Sequence, residues 1–476
     1  MKKSIFIISA SILLILSTAI FFLLNHNHFL IINNTIEDIK INNYSIFLYK
    51  DKNQPSYEAM TLNTVSKTKI DIETKENEII HKEIKLRKLK ANKAIYIYSL
   101  KDKKAYKINL TPENLPKYKI KTKPGHTKGY LFTAPIEAIN WSNAIAIIIK
   151  TNGDLIFYHN NPYKDMLLLA NFKKHIMPDG TIYYSINMKK NDGKTIDYYE
   201  CEIFLFDKNF NLIKKITFPD GSLTESHVFE MLDKDHYFLN DYYEEDIYIP
   251  EWKKTLKALH ERVFEFKDGK AILKFDTKKN PELYKHPTII YKSFWTHIKP
   301  GGHLNHILVD PKDNNLILSF GYSSCLVKID RKTGKVIWIL GGKNDMFNLK
   351  KEQSFILQHV PQFTSDGYLT FLNNNLNFET TGNKQFSLPG GSKITKIKID
   401  DEKRQLKDFR SIELGMSIDI MGNIQELSAN RYIIGQGHNQ LRMFAEEKDI
   451  VTGKTYMVLD VPGYANYKVL LYETLD

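Results

Sequence analysis

The sequence predicts an all-β chain assembled from repeated hairpins, and three observations carry that expectation. Phe and Tyr number 27 each, and with abundant Ile and Thr they favour extended backbone. Short apolar stretches recur along the chain, each broken by a polar Asp, Asn or Gly turn and then resumed. Hydrophobic residues make up 42% and charged residues 26%, a globular balance without a long disordered tract. At 476 residues the chain exceeds one ordinary core and suits two domains or one large repeat array.

The N-terminus carries an address. Lys2 and Lys3 precede an uncharged apolar run, residues 5–24, long enough to span a bilayer as a helix. A Ser17-Thr18-Ala19 pattern has the small residues of a cleavage site, but the apolar run continues from Ile20 to Leu24 beyond it. Residues 1–26 therefore read as a signal anchor in preference to a removed signal peptide. In either case the lysines stay inside and the remaining chain is exported, so the expected location is extracytoplasmic, on the periplasmic side of the inner membrane.

Residues 33–123 read as a small β-domain with strands at 44–49, 79–84, 94–98 and 105–110. The stretch 111–123, with Pro112 and Pro116, reads as its exit linker. From Pro124 to the C-terminus, hairpin signals follow one another. They lie at 147–158 around Asn152-Gly153, 176–185 around Asp179-Gly180, 203–216 around Lys208-Asn209 and 227–239 around Asp233–Asp235. Four more lie at 303–319 around Lys312–Asn314, 327–340 around Thr333-Gly334, 359–372 around Asp366-Gly367 and 423–435 around Ala429-Asn430. Such repetition predicts four-stranded blades around an axis, a β-propeller. The period is too loose for a simple WD40 array. Residues 242–264 interrupt the pattern. They are acidic at first and then read as a helix over 252–263, an insertion lying over one face.

The formal charge of +12 is scattered, often at turns such as Asp207-Lys208-Asn209, whereas a nucleic-acid binder concentrates charge on one stripe. Nucleic-acid binding is therefore not expected. Cys201 and Cys325 are the only cysteines and pair only if the fold brings them together. No CxxC and no tight His/Cys cluster is present, which argues against structural zinc.

Three hairpins begin alike. His227, His303 and His359 each stand near the start of the first strand of a hairpin. In a propeller, equivalent positions of successive blades form a ring, so these histidines are expected to converge on one mouth of the channel. Converging imidazoles admit a metal site. They equally admit nucleophilic and acid–base catalysis without metal. No acidic residue recurs at a fixed spacing from all three, which disfavours metal without excluding it.

The segment His303-Leu304-Asn305, with Asp310-Pro311-Lys312-Asp313-Asn314 and Leu316-Ile317-Leu318-Ser319, resembles the His-x-Asn hairpin of bacterial arylsulfotransferases. The run from Val327 through Lys328-Ile329-Asp330, Thr333-Gly334 and Trp338-Ile339-Leu340-Gly341-Gly342 resembles that family's signature, and Gln358-His359 resembles its Gln-His strand. Lys123-Pro124-Gly125 and Met421-Gly422-Asn423 resemble the beginnings of its first and last blades.

The resemblance implies a six-bladed propeller over 124–476 that moves a sulfuryl group from an aryl sulfate to a phenol, with no nucleotide donor, cofactor or metal. It implies that His359 takes the sulfuryl group, that His303 and His227 assist, and that Asn305 and Tyr322 bind substrate. Expected partners are the small aryl sulfate and phenol, and the membrane through the N-terminal helix.

One departure stands out. Gly321, in Ser319-Phe320-Gly321-Tyr322, occupies the place of the family's arginine, whose planar fork suits sulfate oxygens. Lys343, Arg410 and Arg442 are the cations weighed as replacements. The departure keeps two alternatives in view: a non-catalytic propeller binding an anionic or aromatic ligand, and a metal-dependent propeller hydrolase or lyase.

Overall fold

The computed structural model describes residues 28–32, 36–41, 47–50, 55–58, 68–74, 79–84, 94–101 and 104–109. From residue 115 it describes the chain to 475, apart from 139–143, 161–167, 190–200, 220–221, 250–252, 284–301, 379–384, 388–389 and 439–443. The apolar run at 5–24 and Arg442 lie outside the described residues. No helix among the described residues is long and apolar enough to cross a membrane.

Two compact units divide near Leu115, and the first also takes in Leu155–Pro162 and Phe210–Leu212. Before residue 115 the strands form two sheets. One is five-stranded, in the order Phe47–Lys50, Pro55–Glu58, Lys104–Asn109, Ala94–Ser99 and His28–Ile32. The other joins Ile36–Ile41, Thr68–Thr74 and Ile79–Ile84.

The remainder is a six-bladed β-propeller. Blade 2 is Leu168–Ile176, Ile182–Lys189, Cys201–Asp207 and Leu212–Ile216 from axis to rim. Blade 3 is Thr224–Asp233, His236–Ile249, Lys254–Lys267 and Lys270–Asp276, and blade 4 is Leu304–Val309, Leu316–Phe320, Cys325–Ile329 and Val336–Gly341. Blade 5 is Gln358–Phe363, Leu369–Asn373, Lys393–Asp400 and Gln405–Glu413, with a small hairpin inserted between its second and third strands.

The ring closes twice. The C-terminal strand Tyr464–Tyr472 is the innermost strand of blade 1, paired antiparallel with Tyr130–Glu137, and Ile145–Lys150 and Leu155–Asn160 follow outward. Blade 6, starting at Asn423–Ser428, gains Lys119–Thr122 as a fifth strand at its rim, paired with Thr455–Asp460. Lys119–Thr122 falls inside the stretch read from sequence as a linker. It is instead a strand of the propeller, so the boundary lies a few residues earlier than expected.

The expected helix at 252–263 is not formed. Lys254–Lys267 pairs residue for residue with His236–Ile249, from His236 opposite Lys267 to Ile249 opposite Lys254. Leu256, Leu259 and Val263 have helical spacing, but pairing along all fourteen residues of the strand overrides that weak local preference. Residues 242–249 and 254–264 are thus an extension of blade 3, not a helical insertion.

Blades pack through apolar layers. Trp338, Leu340 and Leu326 of blade 4 meet Phe371 and Ile397 of blade 5, all fully or almost fully buried. Each such side chain contributes about 1.5–3 kcal/mol by leaving water. Cys201 and Cys325 are buried thiols in blades 2 and 4 and form no disulfide.

The candidate active site

Successive innermost strands neighbour one another around the axis, from blade 1 to blade 6 and back. Because they run in the same sense, their starts share one end of the channel. That geometry brings the three sequence-predicted histidines together. The rings of His227 and His303 meet edge to face at 4.8 Å between centroids. Tyr467, from the closing strand, bridges the other pair: its ring lies 5.4 Å from His227 and 5.0 Å from His359.

Regular strands would not deliver this. The ladder between first and second strand slips in blades 1 to 5 at the level of the site. In blade 3 the slip between Thr224 and Phe229 frees Glu225, Ser226, His227 and Val228. In blade 4 it frees Asn305, in blade 5 Val360 and Pro361, and in blade 1 Tyr467 and Lys468. A bulge turns side chains out of strict alternation and re-aims them, here into the channel. Backbone strain accompanies the slips. His303 has φ 57° and Val360 has φ 48°, the left-handed region that a β-branched residue rarely adopts.

Two of the three histidines are held in a defined tautomer. His359 Nδ1 lies 2.6 Å from the carbonyl oxygen of Gly422, which can only accept, so Nδ1 carries the proton and Nε2 keeps its lone pair. His227 Nδ1 donates to Glu225 Oε1 in a short contact, and the His227 backbone N–H donates to Glu225 Oε2 at 2.5 Å. His303 stacks on Tyr322 with centroids 4.4 Å apart.

Burial disfavours the charged form of each ring. It pushes His359 down to about 3, with Lys468 adding to the effect. Burial and then His227 hold His303 well below the usual range. His227 is also lowered by burial, against the opposing charge of Glu225. Burial alone would raise Glu225, but His227 and its hydrogen bonds bring it down to about 2, so it stays ionised.

Asn305 is buried, and its amide donates to the Gln358 carbonyl at 2.8 Å, tying the strand of His359 to blade 4. Its Oδ1 has no hydrogen-bond partner among the described residues. Tyr322 is half-buried against His303. Gly321 is tightly enclosed: a Cβ there would stand 2.9 Å from Asn305 Nδ2 and 3.3 Å from His303 Cδ2. Two of the three cations named as replacements, Lys343 and Arg410, do not reach the site, and Arg442 lies outside the described residues. Lys343 is exposed beyond the rim strand of blade 4. Arg410 is exposed on the rim strand of blade 5, bonded to Asp408 and the Tyr368 hydroxyl.

Five further residues belong to the site and were missed. Glu225 orients His227. Glu261, pushed up to about 8 by burial, accepts the Leu304 N–H at 2.8 Å beside His303. His306, Lys468 and His227 line one small pocket, and Tyr467 contacts His227 and His359 from the closing strand. The only sequence signals were a Glu two residues before a histidine and a Lys inside an apolar terminal stretch. Among the described residues no three His, Cys, Asp or Glu side chains stand close enough to hold a metal ion.

No curated protein matches this chain. Similar solved structures include virginiamycin B lyase from Staphylococcus aureus, 11% identical over 72% of this chain and 99% of that one, TM-score 0.33. A nidogen/laminin complex is 11% identical over 73% and 99%, TM-score 0.40. A 6-phosphogluconolactonase-like protein from Bacteroides uniformis is 10% identical over 73% and 100%, TM-score 0.37. These likenesses carry no argument about function. The family model for arylsulfotransferase (ASST) matches residues 117–458, well over half of the chain and nearly all of the propeller. The chain belongs to the arylsulfotransferase family.

Proposed function

We propose that the protein transfers a sulfuryl group from an aryl sulfate to a phenol through a sulfohistidine at His359, without a nucleotide donor. The observation that carries this reading is the Gly422 carbonyl on His359 Nδ1, which leaves Nε2 unprotonated beside Tyr467 and His227.

In the first step His359 Nε2 attacks sulfur. The N–S bond forms as the bond from sulfur to the aryl oxygen breaks, and the electron pair leaves on the phenoxide. The Nδ1–H to Gly422 bond stabilises the positive charge that develops on the ring. In the second step the acceptor phenol gives its proton to a neutral imidazole, and its oxygen attacks sulfur. The N–S bond then breaks and His359 regains its lone pair. His227 suits the proton-accepting role, because Glu225 on its Nδ1 stabilises the imidazolium formed when Nε2 takes the proton. Tyr322 and Tyr467 offer ring surface for the aryl group.

Gly321 in place of the family's arginine favours a second reading, a propeller that binds such ligands without turning them over. A chromogenic aryl sulfate incubated with the protein, with and without phenol, separates the two. Phenol-dependent chromophore release supports transfer; ligand binding without release supports the second reading. We further propose that the chain is exported and tethered by residues 5–24, on the strength of their uncharged length and the preceding lysines. Fractionation with a membrane-bound, externally accessible propeller is the expected result.

A further inference from the structure

The closing strand Tyr464–Tyr472 slips against Tyr130–Glu137 so that Tyr467 and Lys468 together oppose Ala134. Strict alternation would send consecutive side chains to opposite faces. The bulge lets both serve the channel: Tyr467 reaches the rings of His227 and His359, and Lys468 lines the same pocket as His227 and His306.

Both residues are more than nine-tenths buried, at 4% and 6% exposure. The Tyr467 hydroxyl has no hydrogen-bond partner among the described residues. Lys468 makes no ion pair among the described residues; its Nζ stands 5.2 Å from the centre of the Tyr467 ring. The neighbouring Lys173 lines the same pocket, yet it is neutralised by Glu230 at 2.7 Å. A buried ammonium without a counter-charge is strongly unfavourable, and proteins keep such groups where a ligand supplies the missing charge.

We propose that Lys468 is the cation that receives the sulfate oxygens of the donor, with the Tyr467 hydroxyl as a second donor. Blade 1 thereby supplies the positive charge that Gly321 withholds from blade 4. The proposal rests on the sulfuryl-transfer reading for its donor, but the anion site can be tested by itself. Lys468 is pushed well below its usual range by burial and then by Lys173, against the opposing charge of Glu230. An arriving sulfate opposes that shift and favours the charged form of Lys468.

The test uses the full-length protein and benzenesulfonate, an aryl anion that lacks the scissile ester oxygen, with inorganic sulfate as a second probe. Calorimetric titration of the wild type should show benzenesulfonate binding. K468M and K468Q should weaken it by at least about 30-fold, the scale set by truncating one partner of a buried charge pair. K468R should stay within about tenfold of wild type, because the guanidinium restores charge and donors. Melting temperatures separate this from a structural role: removing an unpaired buried ammonium should leave Tm unchanged or raised. Inorganic sulfate bound with the same Lys468 dependence places the affinity in the anion; benzenesulfonate alone places part of it in the ring contacts. Wild-type affinity in K468M overturns the proposal, as does absent wild-type binding. Loss of the fold in both neutral variants overturns it too. If the wild type binds the sulfonate through Lys468 but releases no chromophore from an aryl sulfate, the anion site stands and sulfuryl transfer fails. If it turns over donor while K468M binds normally, the reverse holds.

Discussion

Lys328 and Lys468 are both buried in the propeller, and their surroundings are opposite. Lys328, between blades 4 and 5, is met by Asp310 at 2.7 Å, Asp313 at 2.8 Å and Asp401 at 3.3 Å. Burial alone would lower it, but those carboxylates raise it. Asp401 in turn takes the Trp338 indole N–H at 2.6 Å, so charge and core are fastened together. Lys468 has no such set, and burial prevails. The fold buries lysine in two ways: saturated with partners where blades must hold, and unsaturated where the channel must receive something. The histidines divide similarly. His236 is bonded to Glu265 in a network with Arg331 and Lys274, while His359 keeps an open nitrogen.

That contrast can be broken by substitution. His359→Ala should lower donor turnover by on the order of 10⁶-fold, the scale of removing a nucleophile, with little change in Tm. Steady-state kinetics beside a melting curve checks both. His227→Ala should slow the reaction by about 10²–10⁴-fold, and Glu225→Gln should act in the same direction by loosening the tautomer. Lys328→Met should show the reverse profile. It leaves the buried Asp310 carboxylate uncompensated and should destabilise the protein by about 3–5 kcal/mol, while folded molecules keep their turnover. Chemical denaturation read against specific activity decides it.

Two smaller effects sharpen the picture. With His359 held at about 3, its Nε2 remains available well below pH 6, so single-turnover rates from His359 should stay level as pH falls from 7 to about 4. An ordinary imidazole would instead lose its nucleophile near pH 6.5. The linkage sign follows: the folded state binds fewer protons than the unfolded chain between about pH 3 and 6.5, so stability declines as pH drops through that window. Gly321→Arg should not rescue the missing arginine. Its Cβ would press on the Asn305 amide that holds the Gln358 carbonyl, costing about 1–3 kcal/mol and lowering activity.

Much of this architecture was legible. All eight hairpin turns fall between neighbouring strands, because Asn-Gly, Asp-Gly or Thr-Gly in four of them and Asn or Asp in the rest mark chain reversal locally. The convergence of His227, His303 and His359 was also legible, since repeat geometry converts equivalent positions into a ring. The bulges were not. They depend on how an innermost strand meets its neighbour, and Tyr467 and Lys468 look like ordinary alternating residues until the ladder slips. The blade 3 extension was misread because short-range spacing around Leu256 and Leu259 cannot register a partner strand supplied by His236–Ile249. The loss at Gly321 was visible in the sequence; Lys468 across the channel was not, for the two are far apart in the chain.

The central claim is that His359 Nε2 takes the sulfuryl group. Its most direct test is to mix protein with aryl sulfate alone, with no phenol, quench, and locate the adduct by peptide mass spectrometry. The account predicts one added SO₃ group on His359, discharged on adding phenol and absent from the His359→Ala protein. Chromophore release by His359→Ala at the wild-type rate, or a phenol-dischargeable adduct on another residue, would contradict it.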